Sequence, residues 1–429
     1  MAAPFRVQKS ELPLPHTRVC HVAVTWNNAT LVWGGIRSTW GPNAGLFATS
    51  EVYVHLDGKW TKKETSGDVP GISQNAMGAM AHVVDDNMLV FGYEDGAADG
   101  YESVYTLNLN SWTWTKLTPH GIPSKTRHRA SSWLHNGNVY IFGGSEVVLD
   151  HEDEEIYFKY STETLQYYSI PQNSWEWASQ EGEIPSERND PCTVISGNNV
   201  YLFGGAGDDG VGEVFNDLHI LDMDTMRWTR VHGNISNDFS GPLETYFRMY
   251  SLNMSKRKLT LISRSSAVLF DAHNCWLLSL DNAKRLMDKS AIWTRLRNDL
   301  CRAHFATVLE PVTRSLWILG GFDLEYRRYR ASGFPRKAPV SSDVLIMPLN
   351  PWPSLQDRAI ATVARTHCVY DPKLARGNIP PQFRDAIEEY RKHVGGKYAC
   401  SKKEGCNRCS RLIPCMLGLE PRRKKAKND

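Results

Sequence analysis

Five arginines keep a near-constant distance from a repeated glycine. Arg18, Arg127 and Arg188 each lie 16 residues before the first glycine of a pair, at Gly34, Gly143 and Gly204. Arg248 lies 15 before Ser263, and Arg302 lies 18 before Gly320. A guanidinium presents planar paired donors that match a carboxylate. If the fold brings these positions to one end, they form a site for an anionic group. The alternative is that they tie loops to backbone carbonyls and belong to the framework. Arg37 and Arg264, just after the glycine positions, are expected to reach the same end. Tyr250, Trp40, Tyr93 and Trp133 are candidates for apolar walls, and equally for plain packing.

A second cluster is Cys400, Cys406, Cys409 and Cys415, with one pair at Cys-x2-Cys. Four such thiols suit a structural zinc ion, with His393 as a substitute ligand, and a metal-free tail is the other reading. No other cofactor is called for. The histidines show no paired spacing, and neither a glycine-rich phosphate loop nor a nucleophile elbow is present, so catalysis is not expected. The acidic run at residues 150–155 reads as a solvated loop.

The elements that must hold the arginines come from a repeat. Tyr201-Leu202-Phe203-Gly204-Gly205 returns as Leu31-Val32-Trp33-Gly34-Gly35, as Tyr140-Ile141-Phe142-Gly143-Gly144 and as Trp317-Ile318-Leu319-Gly320-Gly321. Leu89-Val90-Phe91-Gly92-Tyr93 is a weaker copy, and Thr260-Leu261-Ile262-Ser263-Arg264 reads as a degraded one. First-glycine positions 34, 92, 143, 204, 263 and 320 make a near-constant period, the mark of a repeat array. Each unit reads as an alternating strand, a polar turn, the glycine-ending strand, a third strand and a tryptophan strand. Four short strands per unit with periodic glycines and aromatics predict a β-propeller blade. The fifth unit departs, with a short helix expected near residues 281–287 before Trp293. The sixth has no tryptophan strand, because Pro351-Trp352-Pro353 breaks the chain. Phe5-Arg6-Val7-Gln8 is therefore expected to supply its outer strand and close the ring.

Net charge is +2, so no strong global field draws the chain to nucleic acid or membrane. There is no run of about 18 apolar residues and no apolar signal core, which predicts an intracellular protein. Beyond residue 353 two helices are expected. Ser354 caps the first, and Leu355, Ala359 and Val363 form one stripe. Pro380 opens the second, with Phe383, Ala386, Ile387 and Tyr390 on one face. The basic run at residues 421–427 reads as a nuclear import signal or a plain tail, placing the protein in nucleus and cytoplasm.

The strand, Gly-Gly, Tyr-strand and Trp order resembles the kelch repeat, and it covers roughly residues 5 to 350. That resemblance implies an all-β, six-bladed kelch β-propeller (5–350), followed by a helical box (353–393) and a Cys-rich basic tail (394–429). Ser354, Leu355, Ala359 and Val363 resemble an elongin-binding box, in which the leucine fills a pocket on elongin C. Ile379, Pro380 and Phe383 are similar to a cullin box of the cullin 2 form, in preference to cullin 5. The whole order resembles the kelch-domain-containing substrate receptors of cullin 2 ubiquitin ligases. It implies elongin B and elongin C, cullin 2 and a degron-bearing substrate as partners, and no catalysis. In that family a propeller face clamps a degron's C-terminal carboxylate with basic side chains, serine donors and aromatic walls. The alternative is a non-catalytic nuclear kelch scaffold or chromatin-associated reader.

Overall fold

The computed structural model describes residues 7–38, 46–71, 79–91, 103–122, 127, 129–149, 156–160, 165–207, 214–231, 257–270, 275–286, 292–296, 302–323 and 340–349. The helical box, the cysteine tail, the acidic run, Arg248, Tyr250, Trp40 and Tyr93 all lie outside them. Val7–Met347 forms one compact unit, and Met1–Arg6 with Pro348–Asp429 falls to another.

Residues with β-branched and aromatic side chains alternate with polar ones, and the chain folds into six sheets with four antiparallel strands each, to which Ser66–Gly67 and Glu181–Gly182 add a short parallel fifth strand in blades 2 and 4. Blade 1 is Val22–Trp26, Ala29–Trp33, Val52–Leu56 and Lys59–Lys63. Blade 2 is Met80–Val84, Asn87–Phe91, Tyr105–Asn108 and Thr113–Lys116. Blade 3 is Ser131–His135, Asn138–Phe142, Leu165–Ser169 and Ser174–Ala178. Blade 4 is Cys192–Ser196, Asn199–Ala206, Val214–Asp222 and Arg227–Arg230. Blade 5 is Lys258–Ser263, Ser266–Phe270, Cys275–Ser279 and Trp293–Leu296. Blade 6 is Ala306–Leu309, Leu316–Leu319 and Val344–Met347, completed by Gln8–Lys9 from the other end of the chain. The six innermost strands neighbour one another in succession, and that of blade 6 neighbours that of blade 1, so the ring is closed.

Two-residue turns join the first two strands of blades 1 to 4. Asn27, Asp85, Asn136 and Gly197 take positive φ there, the backbone that hairpin turns of this twist need. These turns mark one end of the ring, and the glycine pairs mark the other.

The residue before the first glycine position, aromatic in blades 1 to 4 and Leu319 in blade 6, fastens one blade to the next. Trp33 meets Trp114 of blade 2 at 5.5 Å between ring centroids. Phe91 meets Trp175 at 6.1 Å, Phe142 meets Trp228 at 5.5 Å and Phe203 meets Trp293 at 5.0 Å. Leu319 of blade 6 shares a cluster with Trp60 of blade 1. The tryptophan of each outer strand therefore belongs to the seam with the preceding blade. Trp114 and Trp175 fill it, while Trp177 lies 53% exposed.

Blade 5 corrects the sequence register. Thr260-Leu261-Ile262-Ser263 lies in the innermost strand, not the second, and that strand carries a register shift between Leu261 and Ser263. Phe270, completely buried, is the counterpart of Phe203, so the lost glycine position is residue 271. The short helix is present as Leu280–Lys284, capped by the Ser279 side chain and anchored by buried Leu280 and Ala283.

Candidate ligand-binding mouth of the channel

The repeating arginines come to one end, four residues before each innermost strand, and are used there by the fold. Arg18 is fully buried. Its Nη1 donates to the Gly34 carbonyl at 2.7 Å, its Nη2 reaches Glu51 at 3.3 Å, and the guanidinium lies 4.8 Å from the Tyr53 ring centre. Arg188 repeats the pattern, donating to Gly204 O at 3.0 Å and holding Asp217 with two bonds of 2.7 and 3.1 Å. Arg302 pairs with Asp343 at 2.8 Å and Asp323 at 3.3 Å. Arg127 is buried in the same layer.

The main chain of these arginines ties blade to blade. The Arg188 carbonyl accepts from Gly144 N of blade 3 at 2.9 Å, and the Arg18 carbonyl accepts from Gly321 N of blade 6 at 2.8 Å. A Cβ on Gly143 or Gly320 would lie 2.5 Å from those same carbonyls, and both glycines have positive φ. Side chain to its own blade, carbonyl to the previous one: this geometry is that of the framework alternative.

The two expected neighbours differ. Arg37 reaches the same end, sharing Glu51 with Arg18 at 3.3 Å, but does not line the cavity. Arg264 does not reach the glycine end. It occupies the turn between the first two strands of blade 5, at the opposite end, where its carbonyl accepts from Ser196 Oγ at 2.6 Å. The displaced register explains the error. Trp133 is 2% exposed and stacks on Tyr140 within the seam between blades 3 and 4, so it forms no wall of the mouth.

Two residues beyond each framework arginine the chain does something else. Cys20, Arg129, Asp190 and His304 all take left-handed backbone, with φ of 57°, 60°, 51° and 52°. Their main chains link in pairs: Cys20 N donates to His304 O at 3.0 Å, and Asp190 N to Arg129 O at 2.8 Å. All four line a cavity of about 260 Å³ at the glycine end of the channel, together with Arg257 and Lys258 of blade 5. Left-handed backbone costs a residue other than glycine roughly 1–2 kcal/mol. Glycine would satisfy this turn at every blade. Instead the same position carries a thiol, a guanidinium, a carboxylate and an imidazole. At these four positions the backbone repeats and the chemistry does not, which makes the side chains candidates for ligand contact.

The family model described as the KLHDC2/KLHL20/DRC7 Kelch-repeats domain matches residues 20–258. The chain belongs to the kelch-repeat family. It is 25% identical over 269 residues to human kelch domain-containing protein 3, covering 49% of this chain and 69% of that protein. It is 26% identical over 246 residues to bovine kelch domain-containing protein 2, covering 52% of this chain and 58% of that protein. With human host cell factor 2 the identity is 28% over 254 residues, covering 54% of this chain and 30% of that protein.

The electrostatics of the kelch mouth suit binding. Burial pushes the Cys20 thiol up to about 12, so it is a neutral, polarisable wall whose Sγ lies 3.5 Å from His304 Nδ1. Burial lowers His21 to about 3 and His82 to about 4, leaving both neutral. Arg129 is the loosely held cation, with Nη1 3.7 Å from Asp190 Oδ2, beyond hydrogen-bond range. Arg257 donates to Phe215 O at 2.8 Å and Asn216 Oδ1 at 2.7 Å, so blade 4 fixes it. Among the described residues no cluster of three His, Cys, Asp or Glu is placed for a metal ion.

Periodicity drew attention to the arginines and away from the residues two places later. The signal was there, as a fixed offset with changing residue type. Arg129→Gly is expected to raise stability by about 0.5–1 kcal/mol, because it relieves the left-handed strain less glycine's own entropy. Urea denaturation checks it, and a loss of stability would assign Arg129 to the framework.

Proposed function

We propose that this chain is the substrate-recognition subunit of a cullin-RING ubiquitin ligase. On this reading it binds a degron at the glycine-end mouth and recruits elongin B and elongin C through Leu355, Ala359 and Val363. Ile379, Pro380 and Phe383 then engage cullin 2. The observation that carries the reading is the rim of four unlike side chains on one strained, repeated backbone position around an open cavity. Such a rim suits recognition, since burial keeps the Cys20 thiol protonated and out of its nucleophilic thiolate form. The cationic side chains of Arg129 and Lys258 suit an anionic group such as a terminal carboxylate. The chain's contribution to ubiquitin transfer is then effective concentration, holding the target's lysines near the loaded enzyme. The four tail cysteines hold a structural zinc ion on this reading, and the basic run serves nuclear import.

The test is affinity purification of the full chain from cells. Elongin C, elongin B and cullin 2 are expected with the native chain, and Leu355→Asp is expected to lose them while keeping its melting temperature. Retention of elongin C by that variant, or its absence from the native sample, would sink the proposal. The nuclear scaffold reading, favoured by the basic run at residues 421–427, would then stand.

A further inference from the structure

Asp190 is flanked by cations around the rim. Arg129 of blade 3 precedes it, Lys258 of blade 5 follows it, and all three line the mouth. Its backbone is pinned in the left-handed region by the bond to Arg129 O, so the carboxylate cannot retreat with its loop. Yet its side chain makes only the loose 3.7 Å contact to Arg129 among the described residues. The framework pair Arg188 and Asp217, in the same blade, closes to 2.7 Å. An acid held in place but poorly paired, inside a cationic mouth, occupies the position that an incoming anion would need.

We propose that Asp190 is a built-in competitor for the ligand's anionic group, so that the anion takes over Arg129 and Lys258 and Asp190 takes up one proton from solvent. The step forms one O–H bond on the Asp190 carboxylate and breaks one O–H bond of a solvent hydronium ion, which leaves as water. This rests on the mouth being the ligand site of the proposed function, and it names that site's specificity determinant. Burial already pushes the Asp190 carboxyl up to about 6, against Arg129 and Lys258, so the proton is cheap to add near neutrality. A second anion beside it raises the value further. Affinity for an anion is therefore full below about pH 6 and falls as pH rises above it.

The two buried histidines and two thiols that line the same cavity stay outside that window. His21 and His82 stay neutral above about 3 and 4, and the Cys20 and Cys192 thiols are pushed to about 12 and 11. Arg129, Arg188, Arg257 and Lys258 carry the local positive charge, and His304 is controlled by substitution.

The probe is sulfate, whose charge is constant across the range, titrated calorimetrically into the full chain between pH 5 and 8. The association constant is expected to fall about tenfold per pH unit above pH 6. Asp190→Asn keeps a residue that tolerates left-handed backbone, and it is expected to bind more tightly at pH 7.5 and without pH dependence. His304→Gln should keep the native slope, and Arg129→Gln should bind at least tenfold more weakly. A native slope in Asp190→Asn, or flat binding by the native chain, overturns the proposal. Should Asp190→Asn fail to fold, carbon NMR of the native Asp190 carboxyl decides. Its midpoint near 6 must rise on adding sulfate, and an unmoved midpoint overturns the proposal. Pools of random decapeptides with free or amidated C-termini separate the two readings. Sulfate linkage without peptide binding ends the receptor reading alone. Peptide binding indifferent to Asp190 ends this one alone.

Discussion

Removal of residues 1–12 is expected to open the ring. The strand Gln8–Lys9 pairs antiparallel with Val344–Met347, matching Gln8 to Ile346 and Lys9 to Leu345. Ser10 N continues the ladder to Val344 O at 2.8 Å, and Lys9 Nζ reaches Asp343 at 2.8 Å. Without this strand blade 6 keeps three strands and bares an edge. At about 1 kcal/mol per lost hydrogen bond, with the lost pairing of blade 6 added, the cost is on the order of 4–5 kcal/mol. The truncated chain should melt far earlier than the full chain and lose its single cooperative transition. A synthetic peptide of residues 4–14 should restore part of the loss by adding back the strand. Melting indistinguishable from the full chain would refute closure by this segment.

The second large effect is expected from Arg188→Met. Five hydrogen bonds tie this guanidinium to Ser186, Gly204 and Asp217. Methionine keeps much of the volume but leaves the Asp217 carboxylate, 10% exposed, without its counter-charge. Removing one partner of a buried pair costs about 3–5 kcal/mol. The effect depends on pH in a stated direction. Burial alone would raise the Asp217 carboxyl, but bonds and charge from Arg188 hold it below its ordinary value on balance. A lowered carboxyl contributes stability that is present above its unfolded value near 3.8 and lost as pH falls through the folded one. The gap between native and variant, read from urea denaturation, should therefore be full at pH 7, begin to shrink as pH falls through the raised value that burial gives the unpaired Asp217 in the variant, and go on shrinking below 3.8 as the native pair is lost. The double variant Arg188→Met, Asp217→Asn should recover part of it, since no unpaired charge remains. Equal stability of native and Arg188→Met at pH 7 would remove Arg188 from the framework.

The architecture was legible because a ring of blades must repeat its contacts. Phe203 and its counterparts recur since each blade needs the same seam, and Gly143 and Gly320 recur since an arginine carbonyl approaches each. Closure by the N-terminal segment was legible in part: the missing strand of blade 6 pointed to residues 5–8, and the strand that fills it is Gln8–Lys9. Blade 5 was misread because its seam residue, Phe270, has no glycine after it, while Ser263 and Arg264 imitate a degraded pair. The rim was missed for the opposite reason. Cys20, Arg129, Asp190 and His304 share a φ value and no chemistry, and a sequence displays chemistry, not φ.

That shared backbone has a consequence for how such proteins diversify. The turn that carries the rim is held by main-chain bonds, Cys20 to His304 and Asp190 to Arg129, which any residue but proline can make. The side chain can therefore vary while the left-handed cost, roughly 1–2 kcal/mol per position, stays much the same. A lineage, or a designer, can rewrite the mouth one blade at a time and test each new combination on an unchanged ring.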